Sequence, residues 1–529
     1  MKFWRSIEKL IPIGIYIGFL LILLVCMYGK KNLHTDEVST YVLSNNTYDT
    51  SITVNPERNV TYEEPQEVWL QSMVVQEGQE FNYRNVWEKQ SQDVHPPLYY
   101  ALIHTICSVF AGTYSQWYAA GINILFAMLT LFVLRMLAKE LTAQKEIVFL
   151  VSCFFMISSG VLSATTFLRM YIMAMFFTVL VSLLLVKGLK KRNPLFYVAL
   201  FAVSVVGALT HYYYIVYLFF VCLFFGIYLL YKRQWGAAVC FVLTMCLAGG
   251  ASVAIFPDML AHSLGGGYRG EETLQNLAEL SPMVFFSRLK TCYTIVDVQL
   301  FGGFFIVFVT VAAILTYIGR KREWKKAFRA FPIENESQDE VKYAWIMLSG
   351  SCLGYFLVIT KAAVYTTDRY FHIIYPLLIL LVVCGLCVGV RYFLSIKVTF
   401  WLIAVVLLLT TVKEFGNNWF YLYRSTQSLL ETAKQYGDLD CIYIVNAGYE
   451  INPSFYEIRE YDTVTFIDKN ELDALKELDL DVENGLIVSM GNAISIEEVA
   501  KTVQDRFPKL INYEQLGGHS FSVTYRFYE

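Results

Sequence analysis

The chain has 529 residues, of which 56% are apolar and only 16% charged, against roughly 25% charged in soluble domains. Together with a mean hydropathy of +0.46, this excludes a soluble multidomain enzyme and makes lipid the solvent for much of the chain. A net charge of -3 at pH 7, with no basic tail or basic-aromatic stretch, excludes nucleic acid as a partner.

The first apolar run, Ile11–Tyr28, follows Lys2, Arg5 and Lys9 and has no small-residue cleavage site after it, so it reads as a retained signal anchor. Residues 29–95 form a first extracytoplasmic loop, rich in acids, in which Glu67–Val75 predicts a helix lying on the membrane. Pro96–Ala111 rises about 24 Å, short of the ~30 Å of a hydrocarbon core, and is expected to be re-entrant or interfacial. Spanning runs follow at Trp117–Ala138, Ile147–Ala164, Tyr171–Val186, Pro194–Thr210, Tyr212–Tyr231 and Gly236–Phe256. The series closes with Leu300–Ile318, Tyr343–Thr360, Phe371–Phe393 and Val398–Val412. With the first run this gives about eleven crossings. The eleven cysteines lie mostly inside apolar runs, where they act as small hydrophobes rather than as a disulfide framework.

The basic connections Lys187–Arg192, Lys232-Arg233 and Arg320–Lys326 fall on one side if Pro96–Ala111 does not cross. The positive-inside rule makes that side cytoplasmic, with the N-terminus inside and the C-terminus outside. Residues 415–529 alternate short apolar runs (Cys441–Val445, Thr463–Ile467, Leu486–Met490) with helical patterns such as Ser495–Val503. That order predicts a small α/β domain with a mainly parallel sheet and a last strand pair turning at Gly517-Gly518. The fold class is therefore a mainly α polytopic membrane protein, residues 1–414, with a re-entrant or interfacial helix and a C-terminal extracytoplasmic α/β domain, residues 415–529. Residues 257–298 are expected to be a flexible outer loop around the glycines at 265–267.

Ionisable residues in or beside a bilayer cost free energy and point to function. Here they gather at the outer ends of the runs: His34, Asp36, Glu37, Asp93, His95, Arg169, His211, Lys361, Asp368 and Arg369. Each has a plainer reading beside the functional one. Asp36 and Glu37 suit a helix N-terminus, Arg169 and Arg369 suit interfacial anchors, Tyr212–Tyr214 suits an aromatic belt, and His104 suits packing.

As a set the motifs are more specific. Asp93-Val-His-Pro-Pro-Leu-Tyr-Tyr100, His34-Thr-Asp-Glu37, Arg169-Met-Tyr171 and Asp368–Pro376 together resemble the signatures of the GT-C membrane glycosyltransferases. Protein O-mannosyltransferases and lipid A aminoarabinose transferases belong to that superfamily, and the resemblance spans Ile11 to about Val412. It implies an Asp-Glu pair in the catalytic loop and an arginine motif at the outer end of a later span. It also implies an outer loop that orders over the donor, which would bring Tyr268 and Arg269 to the site. One departure is Phe167, where many relatives carry an acid two positions before the arginine; Glu37 and Asp93 are the substitutes available.

The activity implied is transfer of a sugar, hexosyl or pentosyl, from a polyprenyl-phosphate donor to a lipid, polysaccharide or protein of the cell envelope. The leaving phosphate needs cations rather than the acid that a glycosidase supplies. Asp36 is the expected general base, Glu37 its orienting partner, and Arg169, Arg369 and Lys361 the expected phosphate holders. Asp93, His95, Tyr171, His211 and Tyr370 complete the expected substrate site. No cofactor is required; a divalent ion is allowed by His34, Asp36, Glu37, Asp93 and His95 but not demanded, since no HExxH-type spacing occurs. The competing reading is a transporter or flippase for a lipid-linked saccharide, which would place charge near the bilayer midplane. The outer α/β domain is the expected place for acceptor recognition or partner docking, with no residue of readable chemistry in it.

Overall fold

The computed structural model describes residues 2–49, 51–264, 268–321, 338–415, 420–423, 426–519 and 521–529. It opens with the apolar helix α1 (Lys2–Tyr28). The outer loop carries α2 (Thr35–Asn45), the short strand β1 (Thr61–Tyr62), α3 (Glu67–Met73) and α4 (Tyr83–Gln92), and α5 (Leu98–Val109) follows. The helical layer then runs through α6 (Gln116–Leu141), α7 (Lys145–Ile157), α8 (Ser159–Thr166), α9 (Tyr171–Lys190), α10 (Pro194–Ala208), α11 (Tyr212–Tyr231) and α12 (Trp235–Ile255). It ends with α13 (Asp258–Leu264), α14 (Tyr268–Ala278), α15 (Pro282–Phe301), α16 (Phe305–Lys321), α17 (Gln338–Ala362), α18 (Tyr375–Arg391) and α19 (Ile396–Phe415).

Backbone groups in hydrocarbon must be satisfied within their own segment, so long apolar runs become helices. Seven described helices are long and apolar enough to cross a membrane, or nine if the bent pairs α7–α8 and α15–α16 each make one span. These helices mark an integral membrane protein. The expectation of about eleven is not confirmed among the described residues, where α10, with 15 residues, is shorter than a self-sufficient span. Helix α5 has 12 residues, about 18 Å at 1.5 Å per residue, too short to cross. The 52° bend between α7 and α8 has a chemical cause. Ser158 is extended, and the freed Ser159 N–H donates to the Glu414 carboxylate at 3.2 Å.

The segment of residues 257–298 is helical over most of its described length, as α13, α14 and the start of α15, and the glycines at 265–267 lie outside the described residues. His262 Nδ1 lies 2.8 Å from Tyr212 Oη, and Asn276 Nδ2 donates to the Ala363 carbonyl at 3.0 Å, so both halves are tied to spans.

The C-terminal strands are β2 (Cys441–Val445), β3 (Val464–Asp468), β4 (Leu486–Gly491), β5 (Asn512–Gly518) and β6 (Ser522–Tyr528), in the order β1-β3-β2-β4-β6-β5. Pairings β2–β3 and β2–β4 are parallel, whereas β1–β3, β4–β6 and β5–β6 are antiparallel. The sheet is therefore mixed rather than mainly parallel, because the final hairpin adds to one side and the first outer loop lends β1 to the other edge. Covering an edge in this way removes unpaired backbone groups.

The loop and the C-terminal domain are further knitted at Asn452, which is fully buried. Its Nδ2 donates to Thr35 Oγ1 and Ser39 Oγ, both at 3.1 Å; its Oδ1 accepts from Val54 N at 3.2 Å; and its carbonyl accepts from Trp69 Nε1 at 3.2 Å. The described parts of residues 29–95 and 415–529 thus form one layer against the helices, the outer layer if the expected orientation holds.

Candidate active site

The N-terminus of α2 is held by a capping box. His34 Nδ1 accepts from Asp36 N at 3.0 Å, and Glu37 Oε2 accepts from His34 N at 2.6 Å. The plainer helix-terminus reading thus describes Glu37, which turns inward and is fully buried. Its Oε1 meets Lys30 Nζ at 2.9 Å and accepts from Leu168 N at 2.7 Å. Every oxygen of Glu37 is engaged, so it holds three chain segments together rather than facing the site.

Asp36 faces the other way, and 29% of its side chain is exposed. Oδ2 accepts from Arg369 Nη1 at 2.6 Å, while Oδ1 accepts no hydrogen bond from the described residues and lies 3.8 Å from His34 Nδ1. Burial pushes the carboxyl up, but Arg369, then His34 and Arg169, outweigh it and hold Asp36 well below the usual carboxylate range. Burial also lowers the His34 imidazole to about 4, so it caps the helix as the neutral form.

The connection between α8 and α9 is drawn toward α2 by Asn123 of α6, whose Nδ2 donates to the carbonyls of Thr165 (3.0 Å) and Phe167 (2.7 Å). Arg169 emerges there, 3% exposed. Its Nη1 donates to the Asp36 carbonyl at 3.1 Å and to Thr40 Oγ1 at 3.0 Å, and its Nη2 lies 3.3 Å from His95 Nε2. His95 Nδ1 is 2.6 Å from Asp93 Oδ2. Burial lowers His95 despite the opposing pull of Asp93. A neutral ring with its proton on Nδ1 satisfies both contacts, leaving Nε2 to accept from the guanidinium. The Pro96-Pro97 turn brings this segment beside His211 through a bond from Leu98 N to the Leu209 carbonyl at 3.1 Å.

His211 caps α11, its Nδ1 accepting from Tyr213 N at 3.0 Å. The proton therefore sits on Nε2, which is buried and has no partner. The tight α10–α11 turn that places it requires Gly207, where a Cβ would come within 2.3 Å of the Tyr214 ring. Tyr171 and His95 have ring centroids 5.0 and 6.1 Å from that of His211.

On the opposite side, Asp368 shapes the turn that presents Arg369. Its Oδ1 accepts from Arg369 N at 2.7 Å and Tyr421 Oη at 2.8 Å, and Oδ2 accepts from Gln299 Nε2 at 2.7 Å. Arg369 lies over the rings of Phe167 (5.9 Å) and Tyr370 (5.7 Å). Phe167, the departure from the family pattern, is stacked against Tyr421 at 4.1 Å and Tyr171 at 5.8 Å. An aromatic floor stands where an acid was expected, and Glu37, with both oxygens engaged, offers Asp36 no second free carboxylate.

The structure thus brings Asp36, Asp93, His95, Arg169, Tyr171, His211, Arg369 and Tyr370 together. Lys361 is not among them: its ammonium donates to the Glu279 carbonyl. There, with Asn276 and Arg288, it ties the outer loop to the last turn of α17, whose free carbonyls need donors. Tyr268 and Arg269 begin α14, but their side chains and the glycines at 265–267 lie outside the described residues. Tyr421, Thr40, Lys30 and Asn123 were missed from the sequence. A Phe420–Tyr423 aromatic run just beyond the last span was the available signal for Tyr421. Among the described residues no group of three or more His, Cys, Asp or Glu is arranged to hold a metal.

Buried donors here that lack partners include Arg169 Nε, Arg369 Nε, His211 Nε2 and Tyr100 Oη. A site ringed by unmade donors, with one free carboxylate oxygen, is fitted to an oxygen-rich anion beside a nucleophile that must lose a proton.

No protein-family model matches the sequence, and no curated protein does. Among solved structures the chain is similar to ArnT from Cupriavidus metallidurans bound to undecaprenyl phosphate, at 12% identity over 98% of each chain with a TM-score of 0.49. It is likewise similar to the same protein in the apo state, at 13% identity over 97% of this chain and 98% of that one, with a TM-score of 0.48.

Proposed function

We propose that the protein transfers a sugar from a polyprenyl-phosphate donor to an envelope acceptor at the outer face of the membrane. Asp36 is the general base and the anomeric centre inverts. The observation that carries this reading is the Asp36 carboxylate, with one free oxygen, set between two arginines whose Nε atoms are buried and unpaired.

We infer the following order of events. While Arg369 grips Asp36, the carboxylate is a poor base, because general-base efficiency is best when the pKa lies near the working pH. A donor phosphate offers Arg369 a better-charged partner. As the guanidinium turns to it, the carboxyl of Asp36 rises and the acceptor hydroxyl can give up its proton to Oδ1. The hydroxyl oxygen then attacks the anomeric carbon from the face opposite the phosphate, the bond to the phosphate oxygen breaks, and its electrons leave on the phosphate. Arg169 and Arg369 hold that charge, and His211 Nε2–H is aimed to donate to it. Asp93 and His95 keep Arg169 in place, and Glu37 with Lys30 keeps the α2 terminus in place.

The test is to reconstitute the full chain in vesicles and offer a labelled polyprenyl-phosphate sugar at the face carrying the C-terminal domain, with cell-envelope extract as acceptor. Movement of label from the lipid to a new acceptor is the expected result. Movement of intact donor between leaflets without loss of label would overturn the reading in favour of a flippase.

A further inference from the structure

The C-terminal sheet carries a second concavity that the transfer chemistry does not use. Its volume is about 500 Å³, inside the roughly 300–1,000 Å³ typical of small-molecule sites. It opens where β4 ends, at Asn492, beneath the β5–β6 hairpin.

The lining sets the class of ligand. Gln515 and Tyr525 form a cross-strand pair, and a register shift between Gln515 and Gly517 twists the hairpin over the groove. Asn492 and Gln515 bring amides; Tyr525, Ile494 and Ile496 bring flat apolar surface. None of the described lining residues is an acid, a lysine or an arginine, and burial holds His519 at about 4 and therefore neutral. A phosphorylated or carboxylated ligand requires opposite charge here, and a lipid chain requires an apolar wall. Neutral hydroxyls reading against amides, with ring faces on Tyr525, meet neither obstacle.

His519 lines both the groove and a smaller cavity bounded by Asn32, His34, Thr35, Tyr423 and Phe521. His519 Nε2 lies 2.8 Å from Ser454 Oγ and 2.7 Å from Ser522 Oγ, while its Nδ1 is buried without a partner. The Phe521 and His34 rings are 6.4 Å apart, and His34 caps the helix turn that carries Asp36.

We propose that this groove binds an uncharged glycan chain; the proposal does not rest on the transfer reading above. The test uses the full-length protein in detergent with maltohexaose, mannohexaose and chitohexaose as neutral probes and a galacturonic acid hexamer as the charged one, followed by saturation-transfer NMR and titration calorimetry. At least one neutral hexasaccharide is expected to bind, and Gln515→Ala with Tyr525→Ala to weaken it about tenfold by removing one hydrogen-bonding and one stacking group. Asp36→Asn is expected to leave that binding unchanged. Three results would overturn the proposal: no neutral hexasaccharide binds, the charged hexamer binds as well as a neutral one, or the groove variant binds undiminished. Since binding is read without any donor, failure of sugar transfer would strike the transfer reading alone.

Discussion

The spans and the outer layer dispose of their polar groups in opposite ways. Within spans, hydroxyls mostly close on their own helix, as Thr130 on the Phe126 carbonyl (2.6 Å), Thr178 on Ala174 (2.9 Å) and Thr410 on Val406 (2.9 Å). In the outer cluster the bonds join distant segments, as Asp36 with Arg369, Glu37 with Leu168, and Asn452 with Thr35. Local closure costs a span little and commits it to nothing. The outer layer instead stakes its geometry on partners hundreds of residues away, and it is there that donors are left over for a substrate.

This contrast can be broken from its strongest end. Removing Arg169 by substitution with Ala deletes the link between Asp36, Thr40 and His95, and a drop in transfer rate of about 10²–10³ is expected from losing one preorganised cation. A steady-state assay checks it. Glu37→Gln should act on the fold instead, since it leaves Lys30 charged and buried beside a neutral amide. The expected loss is about 3–5 kcal/mol, read as a lowered Tm, and adding Lys30→Met should return part of it.

Protons sharpen the same contrast. Burial lowers the imidazoles of His34 and His519 from 6.5 to about 4, and lowers His95 and His211 as well. Below pH 6.5 the unfolded chain takes protons that the folded chain refuses, so stability should fall from pH 6.5 down to about 4 and then level off for this contribution. His34, His95 and His519 lie in the outer layer and His211 caps α11 beside it, so hydrogen exchange should show that layer loosening first. In Arg369→Gln, the Asp36 carboxyl loses its main cation and rises, so the acid limb of the pH profile of kcat/KM should move to higher pH. The smallest effect belongs to the spans: Thr130→Val should change stability by less than about 1 kcal/mol.

What was legible in the sequence follows this same division. Apolar periodicity is local, so the helices stand close to where the runs predicted them, and the charges at their outer ends marked the cluster. Phe167 was visible as a departure, but not as a floor for Tyr421, because stacking across 254 residues leaves no local trace. Glu37 and Asp36 are adjacent acids of similar pattern, and only the fold shows one turned to Lys30 and the other to Arg369. Lys361 had the right charge at the right end of a span, yet its reach goes to Glu279. The pairing of β1 with β3 escaped for the same reason, as two residues of the first loop offer no strand pattern of their own.

The central claim is that Asp36 accepts the acceptor proton. The most direct measurement is the transfer rate of purified Asp36→Asn from a labelled polyprenyl-phosphate sugar, beside the parent protein and matched for Tm. The account predicts a fall of about 10²–10⁴; a rate within about threefold of the parent, well below that range, would contradict it.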